Sequence, residues 1–98
     1  MNELLAVIKT ALKISGTSLD TEISRHISAA LKELERVGIV IKDNSYSEPL
    51  IISAVELYTK WQYDYLGQSE RFAKAFADLR NALSLTSAYT EVTNNGTE

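Results

Sequence analysis

The sequence predicts an all-α domain: a small bundle of four helices, with an extended connector between the second and third and a flexible C-terminal arm. Three observations predict it. Apolar residues recur at spacings of three and four in four separate stretches, the period of a helix with one buried face. Glycine and proline fall at the joints, Gly16, Gly38 and Gly67 after a stretch and Pro49 at the start of one. Beyond Leu85 the chain is too polar to offset the entropy of ordering itself. Residues 1–85 are therefore assigned to the helical domain and 86–98 to the arm, and a length of 98 residues leaves room for one such domain.

In the first stretch Leu4, Leu5, Ile8, Ala11 and Leu12 form one stripe that ends near Lys13, and residues 15–18 break it. The second carries Ile23, Ile27, Ala30, Leu31, Leu34 and Val37. Asp20 and Glu22 in its first turn and Arg36 in its last complement the helix dipole, and Gly38 stands where a C′ glycine belongs. Ile39-Val40-Ile41 and the turn-like Lys42-Asp43-Asn44-Ser45 then read as an extended connector. The third helix opens at Ser47-Glu48-Pro49, where proline suits the first turn, and carries Ile51, Ala54, Val55, Tyr58, Trp61 and Tyr65 as far as Gly67. Ser69 is placed to cap the fourth, whose stripe is Phe72, Phe76, Leu79 and Leu83. Glu56 with Lys60 and Glu70 with Lys74 are i,i+4 pairs, each worth about 0.2–0.5 kcal/mol. The predicted core is Leu12, Ile23, Ile27, Leu31, Leu34, Val55, Tyr58, Trp61, Phe72, Phe76 and Leu79.

Composition removes most chemistry. With no cysteine there is no disulfide framework or thiolate metal site, and a single histidine, His26, provides no imidazole cluster. His26 reads as a boundary residue with Glu22 one turn earlier. Glu33 and Glu35, two apart on a helix, point to different sides and read as a solvated face, and the scattered glycines make no phosphate loop. No catalytic residue, cofactor or metal is assigned. Ten Lys and Arg against thirteen Asp and Glu give a net charge of −3, without the basic footprint of a nucleic-acid grip. A helix-turn-helix does not fit, since about ten residues separate helices two and three where the motif has three or four. No apolar run approaches the ~18 residues of a membrane span, and Met1-Asn2-Glu3 lacks the basic start of a secretory leader. Cytoplasmic synthesis without membrane association is the expectation.

What remains is surface. Tyr63 lies off the aromatic stripe of helix three, toward solvent or into an interface, where tyrosine is enriched. Val40, Ile41, Lys42 and Tyr46 of the connector either face a subunit or channel interface or pack under the bundle. Leu85, Tyr89 and Val92 would form one stripe if helix four were extended, ready for a partner's groove; otherwise they are a frayed end.

The order and spacing of local patterns resemble the head-tail connector (adaptor, or head-completion) proteins of long-tailed siphophages of Gram-positive hosts. The residues that carry the resemblance are Ile8-Lys9-Thr10-Ala11-Leu12-Lys13-Ile14, Leu19-Asp20-Thr21-Glu22-Ile23 and Ile27-Ser28-Ala29-Ala30. Glu48-Pro49-Leu50-Ile51, Glu70-Arg71-Phe72, Leu79, Leu83-Ser84-Leu85 and Tyr89 complete it, over about residues 4 to 90. Glu48 departs from the family's usual aspartate, which shifts the expected cap of helix three to Ser47.

The resemblance implies a structural virion protein at the head-tail interface, made in the host cytoplasm and not an enzyme. It implies a ring of copies, dodecameric on the portal protein, that extends the channel through which genome DNA passes without specific binding. A stopper or tail-completion protein would bind beneath. The tail after Tyr89 departs from the family's pattern, and the expectation that the C-terminal arm, with Leu85, Tyr89 and Val92, docks on the portal comes from its apolar spacing alone. Small domains are marginally stable, and a closed ring adds burial. A non-enzymatic helical regulator or a DNA-packaging accessory subunit is the alternative.

Overall fold

The computed structural model describes residues 2–90, and among them there are helices and turns but no strand. Helices α1 (Asn2–Leu12), α2 (Asp20–Arg36), α3 (Pro49–Gln62) and α4 (Ser69–Ser84) are followed by a single turn, α5 (Ser87–Thr90). Helix α3 is central, with α1, α2 and α4 all packed on it. Near the end of α3, the Tyr63 ring meets His26 in the first half of α2, so α2 and α3 run antiparallel. A short turn reverses the chain from α3 into α4, which makes α2 and α4 parallel to each other. They are joined directly by Arg80 Nη1, which donates to Glu33 Oε2 at 3.0 Å.

The predicted stripes line the core. Leu4, Ile8 and Leu12 enter from α1, and Ile23, Ile27, Ala30, Leu31 and Leu34 from α2. Ile51, Ala54 and Val55 come from α3, Phe76 and Leu83 from α4. The aromatic part of the expected core is corrected: Trp61 is 37 % exposed, and Tyr58, Phe72 and Leu79 are half-buried. Tyr58 and Leu79 pack against the core as partly buried neighbours rather than within it. Tyr58 lies 5.3 Å from Phe76 and 5.6 Å from Trp61, both edge-on.

The ends of the helices show where local chemistry was legible. Gly38, at φ +98°, sends its N–H to the Glu35 carbonyl while Ile39 N–H reaches Leu34, a Schellman ending in which Ile39 and Leu34 are both buried. Helix α1 ends in the same pattern, but the left-handed position is Lys13, at φ +60°, rather than Gly16. Lysine there carries a steric cost that glycine lacks. The Lys13→Gly variant is therefore expected to raise stability by about 0.5–1 kcal/mol, read as a higher denaturant midpoint with unchanged slope.

Helix α3 stops at Gln62, five residues before Gly67, because Asp64 turns left-handed at φ +48°. Tyr65 consequently lies outside the helix, where its ring packs near Phe72 beneath the Lys60 ammonium. The expected Ser69 cap is replaced by Asp64, whose Oδ1 accepts from Ser69 N–H at 3.0 Å. Glu48, not Ser47, caps α3: its Oε1 accepts from Leu50 N–H at 3.0 Å, the longer side chain reaching back to the first turn. Glu56 and Lys60 pair as expected at 2.9 Å, whereas Lys74 pairs with Asp78 at 2.8 Å rather than with Glu70.

Candidate functional site

The connector divides residue by residue. Ile39 is buried under the bundle, whereas Val40 and Ile41 are half-buried and Lys42 is exposed. The chain then closes into a 3-10 turn over Asp43–Ser47, because the Ser45 hydroxyl accepts from Lys42 N–H at 2.9 Å and Ser45 N–H returns to the Lys42 carbonyl. This turn carries Tyr46 over the side of α2. Ile41 and Tyr46 thereby form one wall of an open groove of about 330 Å³, and Ser28, Leu31, Lys32 and Glu35 of α2 form the other. Its floor is apolar and its rim carries one charge of each sign.

On the far side of the connector the last described turn is latched down. Tyr89 accepts from Val40 N–H at 2.8 Å through its backbone carbonyl, and its hydroxyl donates to Glu48 Oε1 at 3.0 Å. The hydrogen bond to the Glu48 carboxylate, then desolvation, raise the Tyr89 hydroxyl above the ordinary tyrosine range. One carboxylate oxygen thus caps α3 and holds α5. Val40, Lys42, Glu48, Ile51 and Tyr89 surround a small cleft of about 90 Å³ at this joint. Tyr89→Phe is expected to speed exchange of the Val40 amide at neutral pH with little change in the amides of α2, measured by hydrogen exchange. Unchanged Val40 protection would mean that the backbone bond holds the turn alone.

Two ion-pair sites brace the frame. Lys9 reaches Asp20 Oδ1 at 2.7 Å, a charge contact not aligned as a hydrogen bond, and also donates to the Gly16 carbonyl, tying the end of α1 to the start of α2. Glu33 accepts from Arg36 Nε at 3.0 Å and from Arg80, and these guanidinium contacts, Arg36 first, hold its carboxyl below the usual range against the opposing effect of burial. Glu33 is therefore a link between α2 and α4, not part of the solvated face expected for it. Tyr63 also departs from expectation. As the cap residue after α3 it leaves the helical path and packs edge-on to His26, with ring centres 5.1 Å apart. Its hydroxyl is buried without a hydrogen bond of normal geometry, and burial, followed by the nearby Glu22 carboxylate, pushes it up to about 12.

A family model described as phage connector protein matches residues 4–90, a span that takes in the four helices, the connector and the latched turn. The chain belongs to the phage connector protein family. No curated protein and no solved structure matches it. As a phage connector protein it is a structural component of the virion that joins other virion components. No helix among the described residues is long and apolar enough to cross a membrane, and no group of three candidate metal ligands occurs among them.

Within this connector protein the structure brings Val40, Ile41, Lys42 and Tyr46 together with Tyr89 at one end of the bundle. Tyr63 is not among them; it sits near the opposite end, inside the chain's own packing. Leu85 and Tyr89 do not share an extended helix, because α4 ends at Ser84 and Leu85, 87 % exposed, is separated from the latched turn. Val92 lies outside the described residues. The residues that sequence reasoning missed are Ser28, Lys32 and Glu35 in the groove wall and Glu48 in the latch. The first three follow a helical spacing on the polar side of α2 and were legible as one stripe. Glu48 and Tyr89 are 41 positions apart, and no local pattern links them.

Proposed function

We propose that this connector protein assembles as a ring under the portal protein, dodecameric there, extending the DNA channel and offering a docking surface to a stopper or tail-completion protein. The family match across residues 4–90 carries the reading, since it spans nearly all of the helical domain. A net charge of −3 suits a channel wall that genome DNA must pass without being held, because phosphate binding needs clustered cations. The protein acts at the head-tail interface of the virion and is made in the host cytoplasm.

In this reading the connector residues and groove serve contacts between copies, and the C-terminal arm reaches the portal from its root at the Tyr89 latch. Electron microscopy of the purified protein with and without portal tests the assembly. Rings seated on the portal are expected; a protein that never joins the portal would instead be a regulator or a packaging accessory. Deleting residues 91–98 preserves the latch, so the melting temperature should stay unchanged while capture by immobilised portal is lost. Full capture by the shortened chain would assign portal docking to the helical body.

A further inference from the structure

Each of the first three helices carries its own stop. A left-handed residue follows α1, α2 and α3 in turn, Lys13 at φ +60°, Gly38 at φ +98° and Asp64 at φ +48°, a conformation that ends a right-handed helix. Helix α4 has none. Leu85 after it stands at φ −97° and ψ 0°, and no residue from Ser84 to Thr90 has a positive φ or is glycine or proline. The break lies in the hydrogen bonding: Leu85 N–H reaches the Ala82 carbonyl and Thr86 N–H the Leu83 carbonyl at 3.1 Å, each one residue nearer than the α-helical partner.

The next fixed point of the chain is Tyr89, bound to Val40 and Glu48. We infer that this latch is an autoinhibitory contact. Closed, it ends α4 at Ser84 and keeps Tyr89 against the cleft; opened, it lets α4 run on through Tyr89 and present Leu85 and Tyr89 together to an apolar groove of the portal. The inference deepens the docking reading of the arm and rests on it for what the opened helix meets.

The two arrangements exclude each other. Phe76 and Leu83 mark the buried side of α4, and Phe76 meets Tyr58 of α3 there. At about 100° per residue, a continuous helix turns Leu85 about 180° and Tyr89 about 140° away from Phe76, and about 160° and 120° away from Leu83. Both side chains then stand on the outer face. Glu48 lies at the start of α3, on the opposite side of α4, so Tyr89 on a continuous helix cannot keep its bond to that carboxylate.

A leucine and a tyrosine one turn apart are the anchor spacing by which a helix lies in an apolar groove. They stand at the root of the C-terminal arm, the segment read as reaching the portal. In the closed form only Leu85 is available, 87 % exposed, while Tyr89 is half-buried against its own chain. The latch thus withholds half of the stripe, and the affinity for the groove scales with the fraction of molecules in which it stands open. Its hold is slight, one hydroxyl–carboxylate bond, one backbone bond and a cleft of about 90 Å³. Removing the hydroxyl should raise the open fraction by about tenfold or more, the factor carried by one hydrogen bond to a charged group.

Two substitutions move the switch in opposite directions. Tyr89→Phe keeps an apolar ring and loses the hydroxyl. In the free protein the Cα resonances of Leu85 and Thr86 should move toward helical values, and capture by immobilised portal should strengthen by about tenfold or more. Ser87→Pro preserves the latch, because Ser87 is exposed and is the first residue of α5, where proline is favoured. In a continuous helix the same ring strikes the Leu83 carbonyl. Ser87→Pro should therefore melt like the unaltered chain, lose capture by about tenfold or more, and cancel both gains when added to Tyr89→Phe. Full capture of Ser87→Pro would overturn the inference, as would resonances of Tyr89→Phe that stay in place or move toward coil. A portal that captures no form of the chain would refute the docking reading, whereas the resonances of the free protein judge the switch by themselves.

Discussion

Truncating Phe76 to alanine is expected to cost about 3–5 kcal/mol, a large share of the 5–15 kcal/mol that holds a small domain together. Phe76 is 2 % exposed on α4, it meets the Tyr58 ring edge-on at 5.3 Å, and the Arg80 guanidinium lies 5.9 Å from its centre. Its removal leaves a cavity between α3 and α4 that a helix pair joined by a short turn cannot close by sliding. At about 4–8 °C per kcal/mol for a domain of this size, the melting temperature should fall far enough to be unmistakable by circular dichroism. Trp61→Ala provides the contrast. Although the sequence pattern places Trp61 in the core, it is 37 % exposed, and its truncation should cost well under half as much. Equal losses for the two variants would mean that the seam extends over Trp61.

Ile8→Ala is expected to cost about 2–5 kcal/mol, because Ile8 is fully buried where α1 packs on α2 and α3. Its neighbour Val7 is exposed on the other side of the helix, so Val7→Ala should stay within about ±0.5 kcal/mol. Denaturant midpoints at constant slope measure both. A loss at Ile8 comparable to that at Val7 would make α1 an appendage rather than part of the core. This pair also tests a difference from the sequence-based core, which took only Leu12 from the first helix although Leu4 and Ile8 share its stripe and its burial.

For the candidate site, legibility follows sequence distance. That Ile39-Val40-Ile41 leaves the helical stripes was visible, and so was the choice between interface and bundle. The structure answers differently for each residue, burying Ile39 against Leu34 and leaving Ile41 in the groove wall. The cap of α3 was misread for a local reason: Glu48 is a poor cap in general, but here the same carboxylate also receives the Tyr89 hydroxyl, which holds it at the helix start. Tyr63 was misread because a helical wheel was continued past Gln62, where the chain had already left the helix.

By itself the sequence determined four helices, their buried stripes, the Schellman ending at Gly38 and the lack of residues for thiolate or multi-histidine metal sites. Those features depend on periods of three and four and on residues within a turn of each other, so the physical cause and the pattern occupy the same few positions. Only the tertiary structure decided that Tyr89 closes on Glu48 and Val40, that Arg80 reaches Glu33, and that Ile41 and Tyr46 build a groove with α2. Each of these joins side chains from separate segments. Which of them meet is set by how the helices pack around α3, a choice made by the summed burial of the whole core rather than by any stretch of chain read alone.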